Sequence, residues 1–277
     1  GLATIAGNLV ELLVLAWPAR AQLRRLPWRR AQVAAVWREG VPNGLQFTME
    51  VGAFLILTTL IARMSAAEAG AHQLVMGLVN VSFLPAHALA EAASVLVGNA
   101  VGANRLELVP RVARRALILG GAYTALCTVG FAVGAGPLAR LLGGGDDPAL
   151  LAVTTTLIQI SAAFLVADAA NVIARGVLRG AGDVRYAAVI GVVTAWCLTP
   201  PTAWLLGHVA GWGAPGGWIG LTAEIVLGAA LLWRRVASGA WRHAAATSQR
   251  QIRAIDLTAP SPDGRGPDLT DCEAVLP

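Results

Sequence analysis

Lysine is absent from the sequence: all 21 basic residues among its 277 are arginine. Charge of either sign is scarce as well, at 13% of residues against 56% hydrophobic, where soluble domains carry roughly a quarter. That balance excludes a water-soluble globule. The three cysteines, Cys127, Cys197 and Cys272, lack the paired spacing of a zinc site or redox motif, which leaves packing as their role. No Gly-x-Ser-x-Gly, Walker A or His-Glu-x-x-His pattern occurs, so ATP-driven pumping and the common intramembrane hydrolases lack their parts, and no enzyme activity is expected. The net charge of +5 is of the sign that nucleic acid attracts, but the arginines are scattered at the ends of apolar runs with no basic, aromatic-interleaved face, and nucleic acid is excluded as a partner.

What the chain does have is length without charge. The stretches 51–62, 116–139, 148–167 and 186–223 are apolar and wholly or nearly charge-free, and about 20 apolar residues rising 1.5 Å each cross a bilayer's hydrocarbon core. Spans are predicted near 2–18, 39–62, 71–98, 116–139, 149–174, 186–207 and 214–233. The fold class is therefore all-α: a polytopic membrane helical bundle of six complete transmembrane helices plus a partial N-terminal one. Arginines crowd the alternate connections at 20–38, 105–115, 175–185 and 234–242, while the intervening ones hold only Arg63 and Arg140. The positive-inside rule then makes the crowded side and the C-terminus cytoplasmic.

Four segments are expected. Residues 1–19 read as the end of a preceding transmembrane helix, since the chain opens without Met inside an apolar run, as a longer protein cut within a span would. Residues 20–37, rich in Arg and Trp, read as a cytoplasmic connector lying in the interface. The six-helix lobe fills 38–235, and the Pro- and Asp-containing 236–277 read as a disordered cytoplasmic tail. Pro85 and the pair Pro200 and Pro201 should kink or break their helices. The small-xxx-small pairs Gly40/Gly44, Gly98/Gly102 and Gly176/Gly180 allow close helix approach.

Polar residues left inside the spans are the functional candidates. Asn43, Gln46 and Glu50 share one helical face by their spacings of three and four. A carboxylate there costs about 2.5–3.5 kcal/mol to insert, so Glu50 is expected to face a wet cavity, hold a cation or carry a proton. Gln73, Asn80, His87 and Glu91 make a second stripe, with His87 and Glu91 one turn apart as a candidate proton relay. Ser161, Asp168, Asn171 and Arg175 make a third, and Glu224 stands alone in the last span as a structural acid. No metal-ligand set appears. Converging stripes on broken helices point to a path for solute or ions.

The runs REGVPNGLQFTMEVGAF at 38–54, AHQLVMGLVNVSFLPAHALAEAASVLVGNAVGAN at 71–104 and DAANVIARGVLRGAGD at 168–183 resemble the C-terminal lobe of the multidrug and toxic compound extrusion (MATE) family. The resemblance implies one lobe of a two-lobe transporter whose halves face each other across a cavity. It implies a missing N-terminal lobe as partner, and export of small cationic or amphiphilic substrates and drugs from the bacterial cytoplasmic membrane in exchange for Na+ or H+. No cofactor beyond that coupling ion is implied. The family's cation-binding acids fall on Glu50 and Asp168, with Asn43, Gln46 and Asn171 as supporting polar groups. The alternatives are a lipid-linked oligosaccharide flippase of the same superfamily, which more basic residues deep in the spans would favour, and a non-transporting half-lobe scaffold.

Overall fold

The computed structural model describes residues 30–144 and 147–258, and helical positions 7, 9, 10, 12–14 and 16 of the first segment. Residues 20–29 and 259–277, and the side chain of Asn43, lie outside the described residues. The chain divides into two compact units, Gly1–Gly44 and Leu45–Pro277. Helix α1 (Arg30–Ala62) runs out of the first into the second. The second unit continues with α2 (Ala66–Gly102), α3 (Val109–Ala139), α4 (Pro148–Gly180), α5 (Val184–Thr202), α6 (Ala214–Ser238) and α7 (Trp241–Thr258). Among the described residues, α1 from Gly44 onward and α2 to α6 make six segments long and apolar enough to cross a membrane. The chain is a multi-pass helical membrane protein.

Local chemistry sets the helix ends. Ser65, in extended backbone, accepts from the Glu68 N–H at 3.2 Å and starts α2. Asp147 accepts from the Ala149 N–H at 2.9 Å ahead of Pro148 at the first turn of α4, where a missing N–H costs nothing. Gly239, with φ of 71°, closes α6 in the left-handed conformation. Proline acts unevenly. Helix α2 runs on through Pro85, whereas α5 passes after Pro200 and Pro201 into wider π-type turns over Ala203–Val209. A π turn takes up the backbone groups that proline frees.

Two apolar clusters hold the bundle. One, at the arginine-rich end, joins Ala90, Val97, Val177, Leu232 and Trp241; the other joins Leu57, Val75, Phe131, Leu157 and Trp218 at the opposite end. On α4 the two clusters are separated by the stretch that carries Asp168 and Asn171, and on α6 Glu224 falls between the fully buried Trp218 of one and Leu232 of the other. A polar layer therefore lies between two packed ends. Helices α2 and α4 cross closely at Gly176 and Gly180, where a Cβ would run into the backbone of Ala90 and Ser94. The small-residue expectation is met there, while Gly40, Gly44 and Gly102 have no neighbour that a Cβ would meet.

Two segment expectations differ from the structure. Residues 30–37, assigned to the connector, are helical and continuous with α1. The tail assigned as disordered from 236 carries the end of α6 and then α7. Buried Trp241 and Ala245 hold α7 to the bundle, and the Gln249 side-chain amide donates to the Val101 carbonyl at 2.6 Å. Trp241, Ala245 and Gln249 recur every four residues, so a helical period was present among the Arg, Gln and Ser of this polar stretch.

Candidate functional site

The polar layer is built from three helices that each offer a carboxylate. On α1, Gln46 and Glu50 lie one turn apart, and the Gln46 amide donates to Glu50 Oε1 at 3.1 Å. Arg175 reaches across from α4 and donates through Nη1 to the same oxygen at 2.6 Å. Its Nε donates to Asn171 Oδ1 at 2.8 Å, and Asn171 Nδ2 donates to the Ile225 carbonyl of α6 at 3.2 Å. One line of hydrogen bonds thus ties α1, α4 and α6. Glu50 and Arg175 are each about a quarter exposed, 24% and 25%, so the pair is neither fully desolvated nor open.

Asp168 lies two turns along α4 from Arg175 and is half-buried. Among the described residues its carboxylate has no hydrogen-bond donor, but the Arg175 and Glu224 charges both act on it. Glu224 accepts from the Thr199 hydroxyl of α5 and is in turn within reach of the Arg175 and Glu50 charges. Gly191 on α5 closes the site: a Cβ there would strike Glu50 Oε1 and come within 2.9 and 3.0 Å of the Arg175 nitrogens. The layer holds three carboxylates against a single guanidinium, so with all groups ionised it carries an excess of negative charge. Such a site attracts cations.

The expected residues fall out as follows. Glu50, Gln46, Asn171 and Asp168 come together around Arg175. His87 and Glu91 do not join them: Glu91 binds Arg179 Nη2 at 2.5 Å, with His87 Nε2 3.8 Å from the same carboxylate oxygen. Both are about half exposed, and Phe83 stacks on the His87 ring at 5.5 Å between centroids. Arg179 is one turn from Arg175, so α4 holds an acid of α1 and an acid of α2 by successive arginines. Glu224, expected to be a lone structural acid, belongs to the polar layer. Sequence periodicity missed it because its partners, Thr199 and Arg175, come from other helices.

A second polar knot went unnoticed in the sequence. His72 is buried, accepts at Nδ1 from the Trp218 indole N–H at 3.1 Å, and places Nε2 3.2 Å from the Thr58 hydroxyl. Tryptophan only donates, so Nδ1 is bare and the proton sits on Nε2, facing Thr58. Nearby, Glu68 Oε1 accepts from the Ala214 N–H at 3.2 Å, joining the starts of α2 and α6. These contacts fix the end of the bundle away from the arginines.

The MatE family model matches residues 42–205. A probable multidrug resistance protein NorM of Bradyrhizobium diazoefficiens is 32% identical over 246 residues, 84% of this chain and 52% of that protein. A protein of the same description from Deinococcus radiodurans is 34% identical over 203 residues, 71% of this chain and 44% of its own length. The chain spans about half the length of the curated relatives it matches. The crystal structure of a eukaryotic MATE transporter, AtDTX14, superposes with a TM-score of 0.70 at 21% identity, covering 88% of this chain and 55% of that one. The matched residues run from α1 into the π-type turns after α5 and include Glu50, Asp168, Asn171 and Arg175, and on that match the chain belongs to the MatE family.

Proposed function

We propose that the chain is one lobe of a cation-coupled antiporter that exports cationic or amphiphilic compounds, working against a second, N-terminal lobe in a cytoplasmic membrane with the arginine-rich end inside. The observation that carries this reading is the excess of carboxylates in the polar layer. Three acids facing one guanidinium at membrane depth cost several kcal/mol unless cations offset them. Protons, sodium or a cationic substrate would each do so.

Arg175 gives the layer a competitor for those cations. Its guanidinium occupies Glu50; a coupling ion shared by Glu50 and Asp168 would displace it toward Asn171 and Glu224. Binding then changes which helices Arg175 ties together. An ion can drive the lobe only through such a difference in contacts between states. Gln46 and Asn171 supply neutral donors and acceptors that hold either arrangement.

The flippase reading looks for basic residues deep in the spans. Arg175, in the last turns of α4, comes nearest to that, but Glu50 and Asn171 occupy it and the surrounding charge remains acidic, so a cation path fits better than an anionic lipid headgroup. The test is drug resistance conferred by the full-length protein. Glu50→Gln and Asp168→Asn, nearly isosteric but unable to hold the charge, should each abolish resistance at unchanged membrane expression. Wild-type resistance in both would leave the acids as structural hydrogen-bond partners and remove the coupling mechanism.

A further inference from the structure

The first turns of α3, the last turns of α6 and the start of α7 line an open pocket of about 240 Å³ away from the polar layer. Arg114, Leu117, Trp233, Val236, Trp241 and Arg242 line it. At this end Arg105 pairs with Glu107, Arg175 with Glu50, Arg179 with Glu91 and Arg235 with Asp183, whereas Arg111, Arg115, Arg185 and Arg234 have no carboxylate within ion-pair distance among the described residues and do not line the cavity. Arg114 and Arg242 likewise have no carboxylate within ion-pair distance among the described residues, and they are the two that open onto the same cavity. Arg242 lies over the Trp241 ring, 5.8 Å from its centroid.

The two indoles are already committed. Trp233 donates to the Ala170 carbonyl at 2.8 Å and Trp241 to the Val236 carbonyl at 3.1 Å. They therefore present apolar ring surface, and the guanidinium groups of Arg114 and Arg242 are the charged donors left on the cavity wall. Beyond Leu117 the outer face of α3 continues as apolar surface, with Ile118 58% and Leu119 60% exposed. The site thus has a doubly cationic mouth where the spans end, fixed tryptophans at the interface, and a wall continuous with the hydrocarbon-facing surface.

We infer that this cavity binds an anionic phospholipid drawn from the bilayer. The headgroup phosphate bridges Arg114 and Arg242, and an acyl chain lies along Leu117 and Val236. Guanidinium groups bind phosphate oxygens in paired hydrogen bonds, and basic pockets between transmembrane helices suit anionic headgroups. A choline headgroup would bring a like charge to the same mouth. A free phosphate would use the arginines but none of the apolar wall, so a lipid accounts for both halves of the site. The occupant would tie α7 to α3 and α6 from outside the transport path.

The chain, purified in maltoside detergent, is titrated with dioleoylphosphatidylglycerol, with dioleoylphosphatidylcholine or with inorganic phosphate, and bound species are counted by native mass spectrometry. One phosphatidylglycerol per chain should be retained, at least about tenfold more tightly than phosphatidylcholine. At about 1 kcal/mol per arginine, Arg114→Gln with Arg242→Gln should weaken it on the order of thirtyfold. The control pair Arg111→Gln with Arg115→Gln should leave it unchanged, and the lysine pair at 114 and 242 should keep most of the binding. Leu117→Trp, which fills the apolar wall and spares both arginines, should also expel the lipid, and it decides the matter if the glutamine pair fails to fold. Equal retention of the two lipids, an equal effect of the control pair, or phosphate binding with Leu117→Trp without effect would each overturn the assignment.

Discussion

The same substitution at two glycines should separate packing from helix propensity. At Gly176 a Cβ would lie 2.9 Å from the Ala90 carbonyl carbon and 3.1 Å from its Cα, with the carbonyl oxygen nearer still. All three atoms are backbone of α2, so no side chain can swing away. Restoring ordinary carbon contacts of about 3.5–4.0 Å requires α2 and α4 to part by roughly 1 Å. Such overpacking costs about 1–3 kcal/mol. At Gly121 on α3 nothing lies within 4 Å of the added Cβ. Alanine gains about 0.8–1.0 kcal/mol of helix propensity at either site, so that contribution cancels in the comparison and the difference reports the crossing alone. Thermal unfolding followed by helical circular dichroism in detergent measures it. At roughly 2–4 °C per kcal/mol for a chain of this size, Gly176→Ala should melt about 2 to 12 °C below Gly121→Ala. Coincident melting of the two would show that α2 and α4 are not held at the distance described and would refute the reasoning.

Three further outcomes follow from named contacts. Trp218→Phe keeps most of the ring but leaves His72 Nδ1 buried without a donor, and should destabilise the bundle by about 1–3 kcal/mol in the same melting assay; an unchanged melt would remove the His72 knot as a structural tie. Gly191→Ala pushes only on the flexible ends of Glu50 and Arg175, so it should leave the melt within about 1 kcal/mol of the parent while reducing cation-dependent transport by the full-length protein, and normal transport would separate Gly191 from the site. In a cycle of Glu50→Gln and Asp168→Asn, the double variant should lose little more ion affinity than either single one, because groups that act as a unit are not additive; full additivity in free energy would assign the two acids to separate sites.

Helices and the family resemblance were legible because both rest on local pattern. Charge-free runs marked the six spans, and the spacing of Gln46 and Glu50 put them on the face where the structure finds them. What escaped were the side-chain contacts made between helices. Arg175 shares a sequence stripe with Asp168 and Asn171, yet its carboxylate partner is Glu50 on another helix, 125 positions away. His72 read as part of a motif with no assigned contact, because its partners Thr58 and Trp218 belong to α1 and α6. Helix α7 escaped for another reason: a polar stretch beside prolines looks unstructured unless one sees that Trp241 and Ala245 have a bundle end to bury against.

The contacts also distinguish which helix the proposed ion could move. Helices α2 and α4 meet backbone to backbone at Gly176 and Gly180, and a crossing that tight leaves no slack for sliding. Helix α1 is held differently along its length. Its second half is packed, with Leu57 and Ile61 buried against the Gly217 region of α6. Around Glu50 its ties to the rest of the second unit include polar ones: the Glu50–Arg175 pair, and the Trp196 indole donating to the Met49 carbonyl at 3.1 Å. A tie made by packing is lost only by opening a cavity, at several kcal/mol. A tie made by an ion pair is lost when another cation takes the carboxylate, at little net cost because one charge replaces another. On the proposed reading, ion binding at Glu50 therefore loosens the stretch of α1 around Glu50 from α4 while Leu57 and Ile61 stay packed, and leaves the α2–α4 crossing as the rigid frame against which that motion counts.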